Sequence, residues 1–172
     1  MQIRLTQDFF LQPTLKVAKL LLGKILNFGL YQGIITETEA YVGQDDPACH
    51  ASRGRTKRTA IMFEEGGHSY VYLIYGMYHC LNIVTEAKDF PAAVLIRGIK
   101  LLNPITNHID GTGKLCKRLG INMDHNGINT LCSESLFITD TNYKPQFVTT
   151  PRIGIKLGTD RLWRFLATNI SL

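Results

Sequence analysis

SYVYLIYGMYHCLN, residues 69–82, is the stretch from which the fold is read. Four of the seven tyrosines, Tyr70, Tyr72, Tyr75 and Tyr78, fall inside it. Tyr70 and Tyr72 alternate as strand residues do, and Gly76 is a natural turn residue. The stretch therefore predicts a β-hairpin that presents Tyr75, Met77 and Tyr78 around its bend. Two readings of so many rings stay open here. Alternating aromatics pack a sheet onto its core. Large flat side chains at a hairpin tip also suit a partner that covers them, and nucleic-acid bases stack on any aromatic ring.

Upstream, Thr14 is positioned to cap a helix over Leu15–Leu22, with Leu15, Ala18 and Leu22 on one face and Gly23 as its stop. Ile25–Phe28 and Ile34–Tyr41 read as strands, the second running through TETEAYVG at 36–43. Its alternation puts Glu37, Glu39 and Tyr41 on one side. Residues 44–60 lose apolar periodicity and read as a charged loop. Downstream, Ala92–Ile96 reads as a buried strand ending at Arg97 and Gly98. Lys114–Leu119 fits a short helix before Gly120, residues 122–130 a loop, and Leu136–Thr139 with Ile153–Leu157 a final strand pair. No repeat, low-complexity tract or second domain boundary is visible.

The 172 residues suffice for one domain with its own core, and 45% hydrophobic residues exclude a disordered chain. Nineteen Lys and Arg against 14 Asp and Glu give a net charge of +5, which favours polyanionic partners. Cys49, Cys80, Cys116 and Cys132 form no C-x-x-C pair, so reduced thiols are expected rather than a zinc ribbon or a redox motif. His50 and His79 each adjoin a cysteine, but neighbours on an extended strand point to opposite faces and chelate poorly; no metal site is expected. The first apolar stretch is broken by Lys19, so neither a signal peptide nor a membrane span fits, and a cytoplasmic location is expected.

Candidate chemistry lies on either side of the charged loop. Glu39, held in a strand, could act as a general base on water, or could belong with Glu37 to the solvated face of an edge strand. Arg53, Arg55, Lys57 and Arg58 suit consecutive phosphates, or form a solvated surface. His50 suits hydrogen bonding better than metal ligation. P-loop, dinucleotide-fingerprint, zinc-deaminase and G-x-S-x-G motifs are all missing from the sequence.

TETEAYVG at 36–43, DPACHASRGR at 46–55, YVYLIYGMYHCLN at 70–82 and VLIRG at 94–98 together closely resemble the alkyladenine (3-methyladenine) DNA glycosylase family. GKLCKRLGIN at 113–122 and PRIGI at 151–155 are weaker echoes. The resemblance implies an α+β fold, a single mixed domain over residues 1–172 with a curved antiparallel sheet, flanking helices and a protruding DNA-intercalating β-hairpin. It implies a monofunctional N-glycosylase of base excision repair that flips alkylated or deaminated purines out of duplex DNA and leaves an abasic site. It also implies a monomer with no cofactor, no metal and no membrane partner, associated with the nucleoid through DNA.

By the same resemblance Glu39 is the carboxylate that activates water, Arg97 helps to hold carboxylate and water, and the main-chain carbonyl of Ile153 contacts that water. Tyr41, His50 and Tyr72 line the base pocket, and Asn82 obstructs the exocyclic amino group of guanine. Tyr75 is the residue pushed into the minor groove, with Met77 beside it, while Arg53, Arg55, Lys57 and Arg58 take phosphates. Tyr70 and Tyr78 are left as packing residues. Lys57 and Thr59 stand where the family often has proline and asparagine. Two rival functions remain at this level: a noncatalytic damage sensor, against which Glu39 with Arg97 argues, and a nucleoside hydrolase, against which the basic loop and wedge argue.

Overall fold

In the computed structural model, which describes residues 3–170, one antiparallel sheet of ten strands carries three short α-helices among the described residues, an α+β architecture. The terminal pairs 1–2 and 171–172 of the expected one-domain span lie outside the described residues. The main path of the sheet is β1 (Ile3–Arg4), β8 (Leu136–Asp140), β2 (Ile25–Phe28), β3 (Tyr31–Val42), β6 (Ala92–Asn103), β5 (Tyr78–Val84) and β4 (Ser69–Ile74). Off that path, β7 (Asn107–Asp110) pairs with β6, and β10 (Arg164–Ala167) joins β3 to β9 (Phe147–Thr150).

Strand β3 is the spine. The start of one edge pairs with β2 and its later part with β10, Glu39 lying opposite Arg164, while β6 follows the other edge. Neighbours on both edges leave residues 33–40 all buried, Thr36, Glu37, Thr38 and Glu39 among them. Helix α1 (Gln7–Phe10) and helix α2 (Thr14–Leu20) cover one side, and α3 (Thr112–Leu119) packs against β5 and β6. The main core joins Val17, Ala18, Leu21 and Leu22 to Ile35, Ile96, Leu115 and Leu136. A second apolar cluster, Cys49, Ala51, Met62, Phe63, Tyr70, Val84 and Ala93, lies under Tyr41 and Tyr72.

Several expectations are corrected. Helix α2 begins at Thr14 with Pro13 in the cap position, and no cap hydrogen bond forms. The Thr14 hydroxyl instead donates to the Glu86 carboxylate and meets the Thr85 hydroxyl, because at the first position inside the helix it is not placed to accept the free amides of the first turn. Its buried face is Val17 and Ala18, with Leu15 only half-buried. Strand β6 does not stop at Arg97 and Gly98 but runs to Asn103 through an irregularity: Glu37 pairs with Gly98 and Thr38 with Ile96, so Arg97 has no opposite residue. Gly98 is there for close approach, since a Cβ would come within 2.8 Å of the Thr36 hydroxyl. Residues 153–157 are not a strand; the final pair is β9 with β10. Gly154 and Gly158, both at positive φ, bend that segment back over the sheet.

The tyrosine stretch forms the hairpin. Strands β4 and β5 pair from Ser69↔Ile83 to Ile74↔Tyr78, and the Met77 amide donates to the Ile74 carbonyl. Positive φ at Tyr75 and Gly76 gives the turn whose twist matches that of paired strands.

Candidate active site

Glu39 is fully buried in the middle of β3. Its Oε1 accepts the Ile153 amide at 2.8 Å and its Oε2 the Tyr41 hydroxyl at 2.8 Å; Arg97 Nε lies 3.6 Å from Oε1. Desolvation raises the pKa of Glu39 above that of an ordinary carboxylic acid. The Ile153 amide, Arg97 and Tyr41 work against this, and the neighbouring Glu37 charge adds to it. Such a carboxylate is a stronger base than one in water and has its lone pairs fixed in direction. Tyr41 itself is held protonated, chiefly by burial and then by the Glu39 charge.

The solvated-strand reading of Glu37 and Glu39 is overturned, because β10 covers the edge that would have faced water. Arg97 pairs primarily with Glu37, at 3.0 Å, and Arg164 of β10 reaches the same Glu37 oxygen at 2.5 Å. Arg164, Glu37, Arg97 and Glu39 thus alternate in charge across three strands. The irregularity in β6 turns Arg97 into this chain, as an extra residue in a ladder re-aims its side chain.

Behind the Ile153 amide lies a second fixed pair. Arg152 and Asp46, neither exposed, form a two-pronged ion pair at 2.5 and 2.8 Å, and Arg152 also donates to the Ala40 carbonyl. Arg152 stacks over the Tyr41 ring at 4.7 Å. Sequence reasoning missed Glu37, Asp46, Arg152 and Arg164 as site residues. Asp46 and Arg152 do fall within the quoted blocks DPACHASRGR and PRIGI, but a pairing across 106 positions leaves no local pattern.

A cleft of about 470 Å³ opens over this centre, within the usual size of small-ligand sites. It brings together Tyr41, His50, Tyr72, Tyr75, Arg97 and Ile153. At its aromatic end a smaller recess adds Asn82, whose side-chain amide is held by the Tyr70 and Cys80 carbonyls. His50 meets the Tyr72 ring edge-on at 4.5 Å and pairs through Nδ1 with the Tyr70 hydroxyl at 3.0 Å. Tyr70 is buried, a packing residue as expected, whereas Tyr78 remains 40% exposed.

Tyr75 is 86% and Met77 66% exposed at the hairpin tip. Met77 faces a separate recess beside α3 and does not join the cleft. The four cations of the loop diverge. Arg55 is tied to Glu64 and Asp89, at 3.4 and 3.8 Å, while Lys57 and Arg58 line a groove on the other side of Tyr72 and Arg53 is exposed. No helix among the described residues is long and apolar enough to cross a membrane.

Comparison with known proteins matches residues 8–170 to the family model described as Methylpurine-DNA glycosylase (MPG). A relative from Sodalis glossinidius, bearing the name "Putative 3-methyladenine DNA glycosylase", is 59% identical over 161 residues, covering 94% of this chain and 95% of its own. Relatives under the same name from Rickettsia felis and Wolbachia pipientis are each 55% identical, over 168 and 161 residues. The first covers 98% of this chain and 95% of its own length, the second 94% and 88%.

Proposed function

Because the chain belongs to the methylpurine-DNA glycosylase family, and so is a DNA glycosylase that hydrolyses N-glycosyl bonds in the repair of alkylated DNA, we propose that it flips damaged purines from duplex DNA into the 470 Å³ cleft and releases them by a water activated at Glu39. The observation that carries this reading is Glu39 itself, a buried carboxylate with three fixed partners, Tyr41, Arg97 and Ile153, all of them on residues that line the cleft.

In the proposed reaction Tyr75, with Met77 beside it, fills the space left in the duplex by the extruded nucleotide. The base stacks among Tyr41, His50 and Tyr72, and Asn82 obstructs the amino group of normal guanine. The bond from the anomeric carbon to the purine nitrogen breaks with its electron pair going to the base. Water oxygen bonds to that carbon, and its proton passes to Glu39. Arg97 and the Ile153 carbonyl orient the water. An abasic site in an intact strand remains, and no amine takes part in covalent chemistry. Arg53 and Lys57 meet phosphates, and Arg55 joins them on leaving its carboxylates. Deaminated purines such as hypoxanthine share the pocket with alkylated ones. One domain acting as a monomer suffices, since every group in the scheme comes from one chain.

Single-turnover release of hypoxanthine or 3-methyladenine from duplex DNA tests the scheme. Glu39→Gln should slow release by about 10²–10⁴-fold, the usual contribution of a positioned base. Release at the wild-type rate would remove Glu39 from the mechanism.

A further inference from the structure

We propose that Arg58 is a specificity-determining residue of the base pocket: it biases the pocket towards neutral damaged purines over cationic ones by placing a positive charge against Tyr72 and by fixing the tautomer of His50. The inference rests on the reading of Tyr41, His50 and Tyr72 as the base pocket.

The Arg58 guanidinium lies 5.3 Å from the centre of the Tyr72 ring. Tyr72 is shared by two cavities, the cleft and the groove that holds Arg58 and Lys57. An aromatic ring offers a cation its negative π-cloud, and a ring already serving one cation attracts a second less well. Arg55, three residues earlier, has its charge offset by Glu64 and Asp89. Arg58 makes no ion pair with a carboxylate among the described residues, so its field reaches the pocket. Glu39, behind Tyr41, is the opposing anion that favours a cationic base, and its own charge is shared with Arg97.

The same residue reaches His50 through Tyr70. The Tyr70 ring lies 5.4 Å from that of Tyr72, over which the Arg58 guanidinium sits, and the Arg58 charge counters the burial that pushes the Tyr70 phenol up to about 12. A hydroxyl beside a guanidinium turns its lone pairs to the cation and its hydrogen away. Tyr70 therefore donates to His50 Nδ1, 3.0 Å distant, and we assign the imidazole proton to Nε2. Desolvation first, and the Arg58 charge second, hold His50 below its ordinary pKa, so the ring stays neutral and presents an Nε2–H donor. A neutral donor suits an uncharged purine with exposed acceptors. A cationic purine leaves the sugar readily without such help, so the bias favours the lesion that needs the pocket more.

Single-turnover excision at saturating enzyme, with 7-methylguanine or hypoxanthine in the same duplex, tests the inference, because weakened DNA binding does not enter those rates. Arg58→Gln should raise the ratio of 7-methylguanine to hypoxanthine release about fivefold, and Arg58→Lys should stay near the wild-type ratio. Nitrogen NMR of free protein should show His50 protonated at Nε2, and a mixture of tautomers in Arg58→Gln. An unchanged ratio in Arg58→Gln, with both lesions slowed equally, would make Arg58 a phosphate contact and overturn the inference; so would a lowered ratio or an unaltered His50 spectrum. Tyr72→Leu separates the two levels of argument. If it excises both lesions at wild-type rates the pocket reading itself fails, whereas an impaired Tyr72→Leu beside an unchanged Arg58→Gln ratio sinks the role of Arg58 alone.

Discussion

Glu39 is held between opposing influences, and the balance has a direction that can be read in a pH profile. Burial raises its pKa and the Ile153 amide, Arg97 and Tyr41 lower it, with the net effect upward from 4.5. The ionised form does the work, so excision should fall as pH drops through a value above 4.5. A 7-methylguanine substrate isolates this limb, since its base carries a charge without taking up a proton. Glu37 contributes to the rise by like-charge repulsion while holding Arg97 at 3.0 Å. Glu37→Gln keeps an acceptor for both arginines and removes the repulsion, so the acid limb should move to lower pH. A slower enzyme with an unmoved limb would leave Glu37 a purely structural part.

The hairpin is the element in which packing and exposure are most plainly divided. Tyr70 is buried against the second apolar cluster, whereas Tyr75 stands in solvent at φ 52°. A side chain in that left-handed region costs about 1–2 kcal/mol relative to the usual backbone. Gly76, the turn's other positive-φ residue, bears no such cost. Tyr75→Gly should therefore leave thermal stability equal or higher and slow excision, with calorimetry and single-turnover release measured on the same preparation. A destabilised variant would mean that the ring packs on the protein rather than waiting for a partner. The hairpin was legible in sequence because alternation and a central glycine are local signals. The turn over residues 153–157 was not: Ile153, Ile155 and Leu157 alternate like a strand, and only the bends at Gly154 and Gly158 show that they line a cleft.

At the scale of the molecule, the Asp46–Arg152 pair fastens the late segment onto the early sheet. Neither side chain is exposed, and Arg152 also holds the Ala40 carbonyl, one residue from Glu39. Removing one member of such a pair strands a buried charge and costs about 3–5 kcal/mol. Asp46→Ala should lower the free energy of unfolding by about that amount in a urea titration. It should also slow excision at temperatures where the protein stays folded, because the Ile153 amide follows Arg152 in the chain. A loss well under 1 kcal/mol would show that water replaces the missing carboxylate.

The sheet-based domain class, the hairpin, strand Ile25–Phe28, most of α3, and the family through four blocks in order were all legible in the order of residues alone. Those features rest on short periodicities, turn residues and motif order, which do not depend on distant partners. That Glu37 and Glu39 are buried rather than solvated, that β6 continues past Arg97, and that Arg55 and Arg58 face different surroundings emerge with the folded arrangement. Each of those outcomes depends on a contact across the fold: β10 laid over β3, Gly98 brought against Thr36, Asp89 set beside Arg55. Burial and charge pairing are properties of neighbours in space, and a chain read residue by residue carries the neighbours only in sequence.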